Sequence, residues 1–460
     1  MYKAYITELK NVRPHPNADR LQLGDCFGNT VCVDLSYTEG QIGVYFPTDG
    51  QLSVEFAEAN NLLRKKDDAG NNIGGYLDSA KRNICAIRLR GEKSDGLFLP
   101  LKSLESFGDV STLCVGDTID VFNGHEICCK YIPRTNHRSS NVGGNKTRKK
   151  KVNIAPLFAE HADTEQLAYN LSAFKPGDEI EITLKMHGTS QRTGYLPVLK
   201  GYKRTFVDWL LHRDGKPIYD WGYVSGTRRT VLDNYDGGYY GSNEFREQHS
   251  KTFEGKLWKG ETVYYEVVGF TNTGAPIMAE GNNEKLGKDF VKQYGKTTVF
   301  SYGCRPLGLD INVSYFEGNI EEGIVKEYPQ SDIYVYRMTM TNEDGAVVEY
   351  TPDFMRYRCE QMGVKTVPVM WKGIIPAHTG DAAAIRLGQD AGAWIKEKAE
   401  RFYDGPDPIG KTHVREGVVV RIVNRPKFTA FKHKGFSFKV LEGLIKDTAT
   451  APDMEEAQEL

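Results

Sequence analysis

Lys185 stands at the end of an apolar, strand-like run and just ahead of a glycine turn, in the stretch "LKMHGTSQRTGYLPV" from Leu184 to Val198. A lysine amine is a nucleophile only after it loses its proton, which desolvation and neighbouring positive charge both favour. A strand end would hold the amine still, and Gly188 would let backbone come close to a bulky ligand. His187, Thr189 and Ser190 add polar groups at the same turn. The arrangement suits covalent catalysis by an amine, although K-x-x-G also arises at ordinary strand edges.

Downstream residues sharpen this. "YYEVVG" carries Glu266, "IYVYRM" carries Tyr334 and Tyr336, "REGVVVR" places Glu416 before a glycine, and "KFTAFKHKGFSFK" carries Lys432, Lys434 and Lys439. A carboxylate can hold a ribose hydroxyl or a divalent cation, an aromatic ring can stack on a purine, and clustered lysines can neutralise phosphates. Taken together they meet the needs of a nucleotide-transfer site.

These residues need elements to hold them. The segment up to about Pro133 reads as short strands punctuated by Gly and Asp, which predicts a small β-barrel or sandwich. From Arg134 to Lys151 the chain becomes polar and basic, and Arg134, Arg138, Lys146, Arg148, Lys149, Lys150 and Lys151 occur there with no acidic residue between them. This reads as a linker and as the place to seek polyanion contacts. A short helix is expected over "DTEQLAYNLSAF", then the strand "DEIEITLKMHG" that delivers Lys185, then strands at "YLPVLKGYKR", "TVYYEVVGF", "DIYVYRMTM" and "REGVVVRIV". With no βαβ alternation the sheets should be largely antiparallel. The alanine-rich stretch from Asp381 to Tyr403 reads as a packing helix, and the acidic tail after Lys446 as frayed.

Composition sets outer limits. The 460 residues leave room for two or three domains, and a formal charge of -2 predicts no partner by itself. The eight cysteines form neither C-x-x-C pairs nor a Cys/His ladder, which argues against a zinc knuckle or a disulfide framework and for a reducing compartment. No stretch has the length of a membrane span, and the N-terminus lacks an apolar leader, so the expected location is cytoplasmic.

The motifs occur in an order that resembles the covalent nucleotidyltransferase superfamily, and within it the ATP-dependent RNA ligases. That series runs K-x-[DH]-G, S-R, a glutamate strand, an aromatic strand, E-G-x-V-x-K and paired lysines. Here it reads "KMHGTS", "SGTRR", "YYEVVG", "IYVYRM", "EGVVVR" and "KHK", over most of the chain from Asp163. The K-x-H-G-T form is more typical of RNA ligases than of DNA ligases. "FPTDGQLSVEF" and "RNICAIRLRGEKSDGLFLPL" resemble the OB-like domain that precedes the transferase in family-5 RNA ligases.

The resemblance implies an α+β protein with four parts: a small OB-like β-barrel over residues 1–133, a basic linker over 134–151, an adenylyltransferase domain of antiparallel sheets and helices over 152–446, and an acidic tail over 447–460. It implies that Lys185 takes AMP from ATP as a lysyl-AMP, with Mg²⁺ or Mn²⁺ as the metal. Glu266 would bind the ribose, Tyr336 would stack on adenine, and Arg228 would contact phosphate. Glu416 would help hold the metal, and Lys432 and Lys434 would contact the α-phosphate and leaving pyrophosphate. His187 and Gly188 complete the nucleotide-binding set. The implied partner is RNA with 3'-hydroxyl and 5'-phosphate ends, including nicked duplex, bound partly through Arg134, Arg138, Arg148, Lys149, Lys150 and Lys151; neither a membrane nor an obligate protein partner is implied.

The chain departs from the pattern at "SGTRR", where Arg228 or Arg229 could be the motif arginine, at Arg337 where an acid is common, and at Arg421 where lysine is usual. "EEGIVKEY" from Glu321 to Tyr328 imitates the E-G motif but precedes the aromatic strand. Two rivals remain at this stage. One is a DNA ligase or mRNA capping guanylyltransferase. The other is a non-catalytic RNA-binding protein, since "HPNADRLQLGD" resembles tRNA-binding OB domains; it leaves the ordered downstream motifs unexplained.

Overall fold

A computed structural model describes residues 2–66, 72–132, 153–206, 210, 215–232, 235, 243–306, 328–376 and 390–447. The basic segment with Arg134, Arg138, Lys146, Arg148, Lys149, Lys150 and Lys151, most of "EEGIVKEY", residues 381–389 and the tail from 448 lie outside the described residues. The chain divides into two compact units, one formed by Met1–Thr135 with Phe436–Pro452 and the other centred on Asn136–Gly435.

The first unit is built from short antiparallel strands. A four-stranded sheet runs in the order Leu97–Pro100, Ile42–Phe46, Ala4–Glu8, Thr118–Ile119. Alternation in Ala4–Glu8 and Ile42–Phe46 turns Ala4, Ile6, Val44 and Phe46 inward, where they meet Leu52, Phe56, Leu104 and Ile127. Two three-stranded sheets and several hairpins complete the unit, and no closed barrel forms among the described residues. The helix Phe436–Asp447, which the sequence boundaries put at the end of the second domain, groups with this unit. Lys439 donates to Asp95 at 2.7 Å, and Arg88 and Lys93 lie over the Phe436 ring.

The second unit carries two larger sheets. One has five strands, in the order Glu165–Gln166, Thr429–Lys434, Gly417–Ile422, Glu179–Lys185, Val369–Ile374. Its core face is Ile180, Ile182, Val418, Val420, Ile422 and Phe431, covered by the helix Ala391–Glu400 through Ala391, Ile395 and Ala399. Asp390 caps that helix by accepting from the N–H groups of Gly392 and Ala393. The other sheet pairs Val231–Leu232, Lys216–Gly226, Thr189–Lys203, Glu261–Gly269, Ser331–Thr341 and Val347–Glu349 in that order, with Lys365–Thr366 alongside Ser331–Thr341. Pairing is antiparallel except for Glu165–Gln166 and Lys365–Thr366. This is the mixed α+β, mostly antiparallel architecture expected.

One local expectation fails. "DTEQLAYNLSAF" forms a two-residue strand, Glu165–Gln166, and two single 3-10 turns, Leu167–Tyr169 and Leu171–Ala173, where a helix was expected. The Asn170 side chain donates to the Gln166 carbonyl at 2.8 Å, in competition with the main-chain ladder a helix would need.

Candidate active site

Strand alternation on the five-stranded sheet explains why Lys185 faces away from the core. Ile180, Ile182 and Leu184 are buried on one face, so Glu181, Thr183 and Lys185 share the other. Register then brings the motifs together. Lys185 lies opposite Gly417, and Gly417 opposite Lys434; one step along, Thr183 lies opposite Val419 and Val419 opposite Lys432. Lysines from two strands thus share one face, with Glu416 at the end of the strand between them.

Glu416 is the hub. Its Oε1 lies 2.8 Å from Lys185 Nζ and 3.6 Å from Lys434 Nζ, and its Oε2 lies 3.6 Å from His187 Nδ1. Burial pushes its carboxyl up, but the Lys185 ammonium, His187 and Lys434 outweigh that and hold it well below the usual carboxylate range. Oε2 is buried and makes no hydrogen bond. Lys432 is pushed down to about 8, first by burial and then by Lys434, Lys185 and Arg228, with Glu416 opposing. Three lysines, Lys185, Lys432 and Lys434, therefore converge around one buried carboxylate, a field suited to a polyanion.

Two glycines are required by contact. A Cβ at Gly417 would sit 2.2 Å from the His433 carbonyl oxygen, and one at Gly188 would sit 2.5 Å from the Val267 carbonyl oxygen and 2.8 Å from Glu266 Cγ. The turn after Lys185 is thereby pressed against the strand that bears Glu266.

The second sheet contributes the other predicted residues. Ser190 is opposite Glu266 in register, and Ser190 Oγ and Tyr336 Oη are 2.9 Å apart. Tyr336 falls at an irregularity: Tyr264 pairs with Arg337 and Tyr265 with Val335, so Tyr336 is the extra residue, re-aimed by a bulge. The start of the Thr189–Lys203 strand is held by Arg246, whose guanidinium donates to the Ser190 carbonyl at 3.1 Å. Arg228 and Arg229 both pair with Asp163, at 2.8 and 3.0 Å. Arg228 is the less exposed of the two, and its charge is felt at both Lys432 and His161.

The departures from the motif pattern have structural partners. Arg337 is ion-paired with Glu349 and lies over the rings of Tyr264 and Phe428. Arg421 donates to the Tyr350 carbonyl at 2.9 Å and lies over Phe428.

Lys439 is not brought to this cluster; it pairs with Asp95 in the first unit. Other neighbours carry no motif. The His187 backbone N–H donates to Tyr302 Oη at 2.6 Å, and Phe300 packs edge-on against the His187 ring at 4.6 Å. His413 packs against both Phe300 and Tyr302. His161 lies 5.1 Å, ring to ring, from Tyr336. Tyr302 at φ 48 and Gly303 at φ 80 form a left-handed turn here, and no sequence motif announced it.

No protein-family model and no curated protein matches the chain. Solved structures do match over nearly its full length. An alanine variant of Naegleria gruberi RNA ligase with ATP and Mn aligns at TM-score 0.52 and 17% identity, covering 95% of this chain and 98% of that one. The same ligase with PPi aligns at 0.51 and 17%, covering 95% and 97%. A methionine variant with AMP and Mn aligns at 0.52 and 17%, again covering 95% and 97%. At this identity the matches establish a shared fold: the chain is similar in fold to these RNA ligase structures along nearly the whole length of both.

Proposed function

We propose that the protein is an ATP-dependent RNA ligase that joins a 3'-hydroxyl to a 5'-phosphate through a lysyl-AMP on Lys185. The observation that carries this reading is the row Lys185, Gly417, Lys434, with Glu416 2.8 Å from the Lys185 amine. A nucleophile held by a carboxylate and ringed by cations suits attack on the α-phosphate of a nucleoside triphosphate. The Naegleria ligase structures with ATP, AMP and PPi support the same substrate class.

In the first step the Lys185 amine forms a bond to the α-phosphorus, the bond to the bridging oxygen breaks, pyrophosphate leaves and the amine proton passes to solvent. Lys432, Lys434 and Arg228 bind the departing charge. In the second step a 5'-phosphate oxygen of RNA attacks the lysyl-AMP and frees Lys185. In the third a 3'-hydroxyl attacks the activated phosphorus and AMP departs. Glu266, beside the Gly188 turn, takes the ribose, and Tyr336 stacks on adenine.

The residues fit a divalent cation held by one carboxylate and by substrate phosphates. Glu416 offers a buried oxygen without a hydrogen bond, and among the described residues no group of three His, Cys, Asp or Glu forms a closed cage. When bound, such a cation would offset phosphate charge and polarise the α-phosphate. The first unit acts, in this reading, as an OB-like RNA-binding domain, assisted by Arg134, Arg138, Arg148, Lys149, Lys150 and Lys151, through contacts that weaken with salt.

The test is strand joining. A nicked duplex with a 5'-labelled RNA phosphate should be sealed with ATP and Mg²⁺, and an all-DNA nick sealed far more slowly. Sealing of DNA alone, or labelling of the protein by GTP alone, would favour a DNA ligase or a capping guanylyltransferase instead.

A further inference from the structure

His161 belongs to no motif, yet the second unit holds it in place from several sides. Its backbone N–H donates to the Arg228 carbonyl at 3.3 Å. Two residues earlier, the Ala159 carbonyl accepts from Arg192 at 2.5 Å and from Tyr264 Oη at 3.1 Å. Two residues later, Asp163 is clamped by Arg228 and Arg229. The imidazole sits among the rings of Tyr336, Tyr264 and Phe428, with centroids 5.1, 5.5 and 6.3 Å away.

The surroundings also determine which nitrogen carries the proton. Arg337 Nη1 lies 3.5 Å from His161 Nδ1. A guanidinium can only donate, so Nδ1 accepts and the neutral ring carries its hydrogen on Nε2. Burial, then Arg337 and Arg228, push the ring down to about 3, so it stays neutral at working pH. Among the described residues Nε2 has no hydrogen-bond partner. The result is a neutral N–H donor of fixed direction beside Tyr336.

We infer that His161 is a base-reading residue: its Nε2–H donates to a ring nitrogen of the purine stacked on Tyr336. The inference rests on the ligase reading given above and deepens it. Adenine offers N1, N3 and N7 as acceptors, and a donor-only edge in an aromatic pocket discriminates through the penalty of being left unpaired.

The experiment measures single-turnover labelling of the full-length protein by ATP and by its 1-deaza, 3-deaza and 7-deaza analogues, each of which lacks one acceptor. In the wild type one analogue should react roughly tenfold more slowly than ATP. His161→Phe keeps a ring and removes the donor, so the analogues should become equal to ATP; His161→Gln, which restores an N–H, should recover part of the difference. Equal rates for all four nucleotides in the wild type would overturn the inference, as would an unchanged pattern in His161→Phe. A variant that slows every nucleotide equally would overturn it too, since that marks a structural role only. If the wild type took no label from ATP, the ligase reading itself would fail, a result separable from these.

Discussion

The Lys185 amine and the Glu416 carboxylate are 2.8 Å apart although they come from different strands, because Lys185 and Gly417 are register partners. The pair fixes the amine and tempers the repulsion among Lys185, Lys432 and Lys434. Glu416→Gln keeps the shape and removes the charge, and should slow nucleotide transfer to Lys185 by about 100-fold. Rapid-quench measurement of the labelled protein would check this; a change under twofold would remove Glu416 from the mechanism.

Gly188→Ala should also be damaging, to a lesser degree, though alanine carries no reactive group. The added methyl would meet the Val267 carbonyl and Glu266 Cγ, so the turn must lift away from the strand. We expect a rise in KM for ATP together with a lower kcat, about 10-fold or more in kcat/KM, while urea unfolding shows a fold that persists. Steady-state kinetics on that variant decides the matter, and wild-type values would refute the close approach.

Lys432 sets a pH dependence. Its amine is held near 8 in the folded protein, below the usual lysine value of 10.5. Between those values the unfolded chain binds a proton that the folded chain lacks, so this group favours folding more as pH rises through that window. Phosphate binding acts in the opposite sense, because it needs the charged form. ATP affinity should therefore weaken as pH rises through about 8, with proton uptake on binding. Calorimetry in buffers of different ionisation enthalpy would reveal that uptake, and in Lys432→Met the inflection should vanish.

How much of this could be read in the sequence depends on the range of the interaction. The alternation of Ile180, Ile182 and Leu184 with Thr183 and Lys185 is local, and it gave both the strand and its reactive face. The E-G and K-x-K motifs were legible through their order along the chain, and the close contact at Gly417 shows why a glycine stands in the first of them. Tyr302 and His161 were not, since their roles arise from pairing across long stretches of chain: Tyr302 with the His187 backbone, His161 with Arg228 and Arg337. The failed helix near Asn170 shows a polar side chain overriding a helical pattern. The closing helix Phe436–Asp447 eluded the motif-based boundary because "KHK" and Lys439 are neighbours in sequence but belong to different units.

A stability contrast separates scaffold from chemistry. Glu261 is fully buried, receives Arg358 Nε and Nη2 at 2.8 Å each, and also accepts from Tyr350 Oη and the Trp258 N–H. Removing it leaves a buried guanidinium without its partner. Glu261→Ala should cost roughly 3–5 kcal/mol in urea unfolding, and the protein that remains folded should still label at Lys185. A loss under about 1 kcal/mol would show that the pair contributes little.

The most direct test of the central claim is covalent labelling without nucleic acid. Wild-type protein, Lys185→Ala and Lys185→Arg are incubated with Mg²⁺ and α-³²P-labelled ATP, denatured and resolved by electrophoresis, and the labelled peptide is mapped by mass spectrometry. The account predicts AMP on Lys185 in the wild type and none in either variant; label that survives in Lys185→Ala, or a folded wild type that takes none, would contradict it.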